Sequence, residues 1–74
     1  MTTPIEIRIE GKTPLILFPQ AINSITFQPA TGAYKDSVTI SIRSWKAPWT
    51  YEGERAQELY LHLARLLGAN QLVL

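Results

Sequence analysis

Cysteine is absent from the 74-residue chain, which excludes a disulfide framework and thiolate zinc sites. Small secreted domains usually depend on such cross-links, so we expect an intracellular, cytoplasmic protein. The first residues, Met1–Pro4, do not combine a basic stretch with an apolar run, and we expect no signal peptide. The longest uninterrupted apolar run, Leu15–Phe18, is far shorter than the roughly 20 residues of a membrane helix. We therefore expect no membrane partner.

An excess of charge of one sign is also lacking. Seven Lys and Arg residues against six Asp and Glu residues leave a formal net charge of +1, which creates no long-range field to attract nucleic acid or anionic lipid. A chain of this length has room for one domain with one core, residues 1–74. The content of 46% hydrophobic and 18% charged residues is typical of a folded chain rather than a disordered one.

Residues that could build a catalytic centre are scarce. His62 is the only histidine, and its position away from the apolar side of the predicted helix is typical of a solvated residue. Glu6 and Glu10 share a strand face but lie roughly 13 Å apart by strand rise, which is too far to act on one bond or one metal. The four glycines are scattered and form no phosphate-binding loop. We expect no enzyme activity, no cofactor and no metal site.

Alternation of apolar and polar residues predicts a mainly antiparallel sheet. The loop at residues 29–36 contains the proline and glycine that are typical of the connections between such strands. The expected strands are Ile5–Glu10, Thr13–Pro19, Ala21–Gln28, Ser37–Arg43 and a short fifth strand through Tyr51.

An amphipathic helix is predicted from about Glu54 to Leu67. Its apolar residues recur at spacings of three and four, which makes one apolar stripe, and Gly68 is placed to cap its C-terminus. The fold class is therefore α+β. We expect two layers, with a mainly antiparallel sheet of four to five strands carrying the C-terminal helix on one face. The expected core consists of Ile5, Ile7, Ile9, Ile16, Phe18, Ile25, Phe27, Val38, Ile40, Ile42, Ala56, Leu59, Tyr60, Leu63 and Leu67.

The turn between the first two strands decides which apolar residues face this core. We expect a two-residue type II′ turn at Gly11–Lys12, because glycine suits the first central position of that turn. This turn would direct Ile16 and Phe18 towards the helix. Leu15 and Leu17 would then point to the open face of the sheet. A slip of one residue in the register would reverse all four side chains.

Apolar residues outside the expected core favour a protein-interaction module, such as an adaptor, an inhibitor or an assembly subunit. Leu15 and Leu17 would form a contact patch beside Arg8, and Leu61 lies opposite the apolar stripe of the helix. Because a domain this small often gains stability by association, a homodimer is one form of this hypothesis. The alternative is that the tail, Leu72–Leu74, or a curled sheet covers the two leucines.

The second functional hypothesis is weak nucleic-acid binding through Arg43, Lys46, Trp45 and Trp49. Single-strand binders use aromatic side chains beside cations to stack on bases and contact phosphates. Against this hypothesis, polar residues occupy the central open-face positions of the third and fourth strands, where a stacking sheet needs aromatics. The tryptophans could instead close one end of the core, and a bulge at Ser44 would return Trp45 to it. The sequence leaves this choice open.

Overall fold

The computed structural model describes residues 3–70 and residue 72. The chain has an α+β fold in which antiparallel strands precede one C-terminal helix, as the sequence predicts. A single turn of 3-10 helix, Pro19–Ala21, lies between the second and third strands. The other elements are strands β1 (Ile5–Ile7), β2 (Leu15–Leu17), β3 (Ile22–Gln28), β4 (Ser37–Ile42) and β5 (Trp49–Glu52), and helix α1 (Ala56–Leu66).

The strands form two sheets, whereas the alternation predicts a single one. β1 and β2 make a two-stranded sheet, and β3, β4 and β5 make a three-stranded antiparallel sheet in that order. The turn Pro19–Ala21 separates the two sheets along the chain. Pro19 cannot donate to a strand ladder, and its restricted φ suits the start of a helical turn. This proline therefore ends β2 before the chain enters β3.

The β1–β2 hairpin has a register one residue away from the expected one. Leu17 lies opposite Ile5 and is buried, with 5% of its surface exposed. Leu15 is half-buried, whereas Ile16 and Phe18 are 63% and 52% exposed. The expectation that Leu15 and Leu17 face away from the core is wrong, and so is the placement of Ile16 and Phe18 inside it.

The turn and the residues that follow it together account for this register. The Lys12 N–H donates to the Ile9 carbonyl at 3.0 Å, so the turn spans residues 9–12. Gly11 is the third residue of this turn and has a φ of +85°, which a type II turn requires at that position.

A turn over residues 9–12 alone would place Ile7 opposite Pro14, which would keep Ile16 on the buried face. Ile7 instead lies opposite Leu15, because one residue separates Ile7 from the turn and two residues separate the turn from Leu15. This extra residue, rather than the choice of turn, puts Leu15 and Leu17 on the buried face.

The core lies between α1 and the strands and follows the alternation of β1 and β4. Several residues that we expect in the core are half-buried and pack against it, among them Ile9, Ile25 and Leu59. Phe27 and Tyr60 are half-buried as well, with ring centroids 5.5 Å apart. Among the described residues, those that are apolar and buried are Ile5, Ile7, Leu17, Val38, Ile40, Ile42, Ala56 and Leu63.

Helix α1 ends with the cap that the sequence predicts. The Gly68 N–H donates to the Arg65 carbonyl at 3.1 Å, and the Ala69 N–H donates to the Ala64 carbonyl at 3.0 Å. These two bonds define a Schellman motif, which satisfies carbonyl groups left open at the end of a helix. Leu63, at the centre of the apolar stripe, is 1% exposed, so the predicted buried face of the helix is confirmed.

The expected docking of the C-terminal tail concerns residues that are mostly outside the described part of the chain. Val73 and Leu74 lie outside it, and Leu72, which lies inside it, is 82% exposed. Over residues 3–70 and 72, no helix has the length and apolar character needed to cross a membrane.

Candidate functional site

The residues expected to bind a partner do not share one surface. Leu17 belongs to the core and Leu15 is half-buried beside it. Leu61 is 54% exposed on the outer side of α1. Arg8 is exposed, and its Nε donates to Glu6 Oε2 at 3.0 Å. The contact patch that the sequence predicts around Leu15 and Leu17 is therefore wrong, while Arg8 and Leu61 are on the surface.

Trp49 is one of the residues that hold the two sheets together. It is half-buried in β5 and packs against the core. The Lys12 Nζ lies 4.6 Å from the centroid of the Trp49 ring and donates to the Thr50 carbonyl at 2.8 Å. Lys12 thus combines a cation–π contact with a hydrogen bond, and it fastens the β1–β2 turn to β5. This arrangement agrees with a core role for Trp49.

Trp45 has different surroundings. Its N–H donates to the Ile42 carbonyl at 3.1 Å, and Ser44, inside that turn, has a φ of +71°. The turn leaves Trp45 49% exposed, so the suggested return of Trp45 to the core is wrong. The Arg43 guanidinium donates to the Gln20 carbonyl at 3.2 Å, while Lys46 is exposed.

A groove of about 350 Å³ separates β1 from α1. One wall consists of the consecutive residues Ile5 to Ile9. Because successive side chains of a strand point to opposite faces, an opening lined by consecutive residues runs along the edge of the strand. The other wall is one face of α1, with residues at spacings of three and four. The residues that line this wall are the N-cap Arg55 and, from α1, Glu58, Leu59, His62, Leu63 and Leu66.

The strand wall of this groove is an unpaired edge. Among the described residues, the hydrogen-bonded neighbour of β1 is β2 alone. The second edge of β1 therefore presents backbone N–H and C=O groups that no strand of the described residues satisfies. The main contacts of α1 are with β3 and β4, which leaves the space beside β1 open. Such an edge is a template for pairing with another chain.

The floor of the groove is apolar and its rim is polar. Ile5, Ile7 and Leu63 line it with exposures of 9%, 5% and 1%. Leu66 is 63% exposed and extends the apolar surface to the rim, where charged side chains take over. An apolar floor with a few polar groups around it is the usual composition of a binding site.

The rim charges are paired within the chain. The Arg55 Nε and Nη2 atoms donate to Glu58 Oε2 and Oε1, both at 3.1 Å. This hydrogen bonding, and then the attraction between the two charges, lowers the pKa of Glu58 and raises that of Arg55. His62 Nε2 lies 4.0 Å from Glu58 Oε1. Because Arg8 is paired with its strand neighbour in the same way, the groove has no excess charge of either sign.

Groups suited to catalysis or metal binding are spread over the surface. The His62 side chain is 63% exposed and the Glu58 side chain is 51% exposed. Within residues 3–70 and 72, no three His, Asp or Glu side chains converge on a point that could hold a metal ion.

Sequence reasoning missed this groove. Ile5, Ile7 and Leu63 are correctly predicted as apolar core residues, and nothing in their spacing shows that they border an opening. The missing information is that β1 stays out of the three-stranded sheet. The only local signal for this separation is Pro19, directly after β2. Comparisons with protein-family models, with curated proteins and with solved structures each find no match to this chain.

Proposed function

We propose that this protein is a small non-enzymatic protein-interaction module that binds an extended segment of a partner in the groove between β1 and α1. The observation that carries the proposal is the unpaired edge of β1 beside an apolar floor. In β-strand addition, an extended peptide forms main-chain hydrogen bonds to such an edge, and pockets for alternate side chains give specificity. An adaptor, an inhibitor and an assembly subunit would all use a site of this kind.

The dimensions of the groove define the segment that fits. Helix α1 has 11 residues, which corresponds to a length of about 16 Å. An extended chain of about five residues covers the same distance. Apolar side chains at alternate positions would reach the floor formed by Ile7 and Leu63. Because the charges at the rim are already paired, the segment needs no strong charge of its own.

The same proposal includes the arrangement of the whole chain. We propose one domain, residues 1–74, in two layers, with α1 against the strands and the groove at the open side of β1. The absence of cysteine supports a cytoplasmic location. Self-association, the homodimer form of the hypothesis, is the case in which a second copy provides the segment.

Two exposed leucines of α1 provide a matched test. Leu66 lines the groove and is 63% exposed, while Leu61 is 54% exposed and is not among the residues that line it. Peptides selected from a random library on the wild-type protein should bind in fluorescence polarisation. Leu66→Glu should weaken their binding by about tenfold or more, roughly 1.4 kcal/mol. Leu61→Glu should leave the affinity unchanged.

The outcomes separate the forms of the proposal. Peptides that bind both variants equally would show that the groove is not the site. Sedimentation of the wild type gives the mass in solution, and a dimer that Leu66→Glu dissociates would identify the second copy as the occupant. Backbone amide shifts on peptide addition should be largest along β1.

Nucleic-acid binding is the second candidate, because Trp45 is 49% exposed next to the exposed Lys46. Arg43 and Trp49 complete the set of residues in that hypothesis. Binding to phosphates weakens steeply as salt concentration rises, whereas binding in an apolar groove does not. Titration with a short single-stranded oligonucleotide at two salt concentrations distinguishes the two functions.

A further inference from the structure

The face of the three-stranded sheet opposite the core carries polar side chains in rows. Adjacent strands lie about 4.7–4.9 Å apart, so side chains in one row are close neighbours. The first row is Thr26, Thr39 and Thr50 on β3, β4 and β5. The next row is Gln28, Ser37 and Glu52. These rows form a regular array of hydroxyl, amide and carboxylate groups, while Val38 and Ile40 of β4 point into the core.

A folded loop turns one end of this face into a pocket of about 360 Å³. The loop reverses at Gly32–Ala33, where Thr31 and Tyr34 exchange backbone hydrogen bonds of 3.1 and 2.9 Å. Gly32 has a φ of +55°, as the first central residue of such a two-residue turn requires. The turn places Tyr34 in the wall of the pocket, with 73% of its surface exposed.

The loop is also held at its base. Asp36 Oδ1 accepts a hydrogen bond from the Ala30 N–H at 2.6 Å. The Asp36 carbonyl accepts another from the Gly53 N–H at 2.9 Å. These bonds join the loop to itself and to the end of β5, so the wall that carries Tyr34 is formed before any ligand arrives. A preformed site avoids the entropic cost of ordering a loop on binding.

The lining of this pocket is polar and has no net charge. Lys35 and Glu52 bring one charge of each sign. The amide of Gln28 and the hydroxyls of Thr39 and Thr50 can each donate and accept hydrogen bonds. A phosphate or another anion would meet the Glu52 carboxylate as well as the Lys35 ammonium. The charge balance therefore favours a neutral ligand with many hydroxyl groups.

We propose that this pocket binds a neutral sugar unit. The hydroxyls of a pyranose both donate and accept, so they match the donors and acceptors of Gln28 and the threonines and the acceptor oxygens of Glu52. The C–H face of the ring would lie against Tyr34, because the negative face of an aromatic ring attracts polarised hydrogens. This site is separate from the groove beside β1 and does not depend on the function proposed for it.

The test is a titration of the nitrogen-15-labelled protein with the methyl glycosides of glucose, mannose, galactose and N-acetylglucosamine. Because each exposed hydrogen bond contributes little net free energy, we expect dissociation constants on the order of millimolar. At least one glycoside should shift the amides of Tyr34, Lys35 and Thr39 in a saturable way. Absence of saturable shifts at these residues with all four glycosides would overturn the proposal.

Two variants of one residue sharpen the test. Tyr34→Ala should weaken glycoside binding by about tenfold, the loss expected for one aromatic contact. Tyr34→Phe keeps the ring and should retain most of the affinity. Both substitutions replace an exposed side chain, so the fold should be unaffected, and circular dichroism of each variant checks this. An unchanged affinity in Tyr34→Ala would contradict a sugar site. Peptide binding in the groove should be the same in both variants.

Discussion

Replacing two neighbouring residues of β2 with alanine tests the hairpin register directly. Leu17 is 5% exposed and Ile16 is 63% exposed. Removing a buried leucine side chain costs about 2–5 kcal/mol, because the lost burial and the remaining cavity add together. An exposed side chain outside any special contact usually changes stability by under about 1 kcal/mol. We therefore expect Leu17→Ala to be strongly destabilising and Ile16→Ala nearly neutral.

The size of the effect matters for the choice of assay. A chain of 74 residues has a total free energy of unfolding of about 4–11 kcal/mol, at 0.05–0.15 kcal/mol per residue. Leu17→Ala can therefore remove a large part of the stability. Leu17→Val deletes one methylene and should cost about 1 kcal/mol, which keeps the protein folded. Urea denaturation followed by tryptophan fluorescence, to which Trp49 on the core contributes, measures all three variants.

The two possible registers give opposite orders of stability. The type II′ turn at Gly11–Lys12 would place Ile16 in the core and Leu17 outside it. An Ile16→Ala variant that is less stable than Leu17→Ala would therefore refute the register described above. Equal effects would mean that β2 has no defined buried face. Circular dichroism of each variant before denaturation shows whether the comparison starts from folded protein.

Two further predictions concern α1. Leu63→Ala should destabilise the protein by about 2–5 kcal/mol, because Leu63 is 1% exposed and its removal leaves a cavity. Leu61→Ala should change the stability by under about 1 kcal/mol. Denaturant melts of both variants check this, and a larger effect at Leu61 would contradict the assigned buried face of α1. The pKa of Glu58 should lie below the ordinary carboxyl range, because the hydrogen bonds from Arg55 favour its ionised form. Since folding lowers this pKa, the stabilisation is present above the ordinary value of about 4.3 and is lost as the pH falls through the lowered value. Carboxyl carbon-13 shifts across this pH range measure the pKa of Glu58. If this pKa were unchanged in an Arg55→Gln variant, hydrogen bonding from Arg55 would not be its cause.

The periodicity of apolar residues is sufficient to predict the elements that have a long regular pattern or that depend only on residues nearby in sequence. Strand β4 alternates through six residues, and α1 has its apolar residues at spacings of three and four, so both follow from the sequence. The cap at Gly68 also follows, because its hydrogen bonds involve only the last turn of the helix. Each of these predictions depends on residues a few positions apart, which is why a sequence is sufficient for them.

The hairpin register could not be derived in the same way. Gly11 fits the first central position of one turn and the second central position of another. The two turns give registers two residues apart, so both would bury the same face of β2, and the extra residue between the turn and Leu15 reverses that face. Nothing in the sequence marks this residue, because Leu15–Phe18 is apolar at every position. An unbroken apolar run has no preferred face, so the alternation of apolar and polar residues that orients the other strands gives no orientation for β2. Only packing against residues distant in sequence, such as Leu63, selects the face.

The unpaired edge of β1 and the error in sheet size have one physical origin. If all strands joined in one sheet, pairing would leave the edge of β1 available only at the border of that sheet, away from α1. The turn Pro19–Ala21 instead sends the chain from β2 into a separate sheet, and the hairpin is held to it by side chains such as Lys12 on Trp49. A hairpin attached through side chains keeps the backbone of β1 unpaired beside the helix. The feature that defeats prediction of a single sheet is therefore the same feature that creates the candidate binding site.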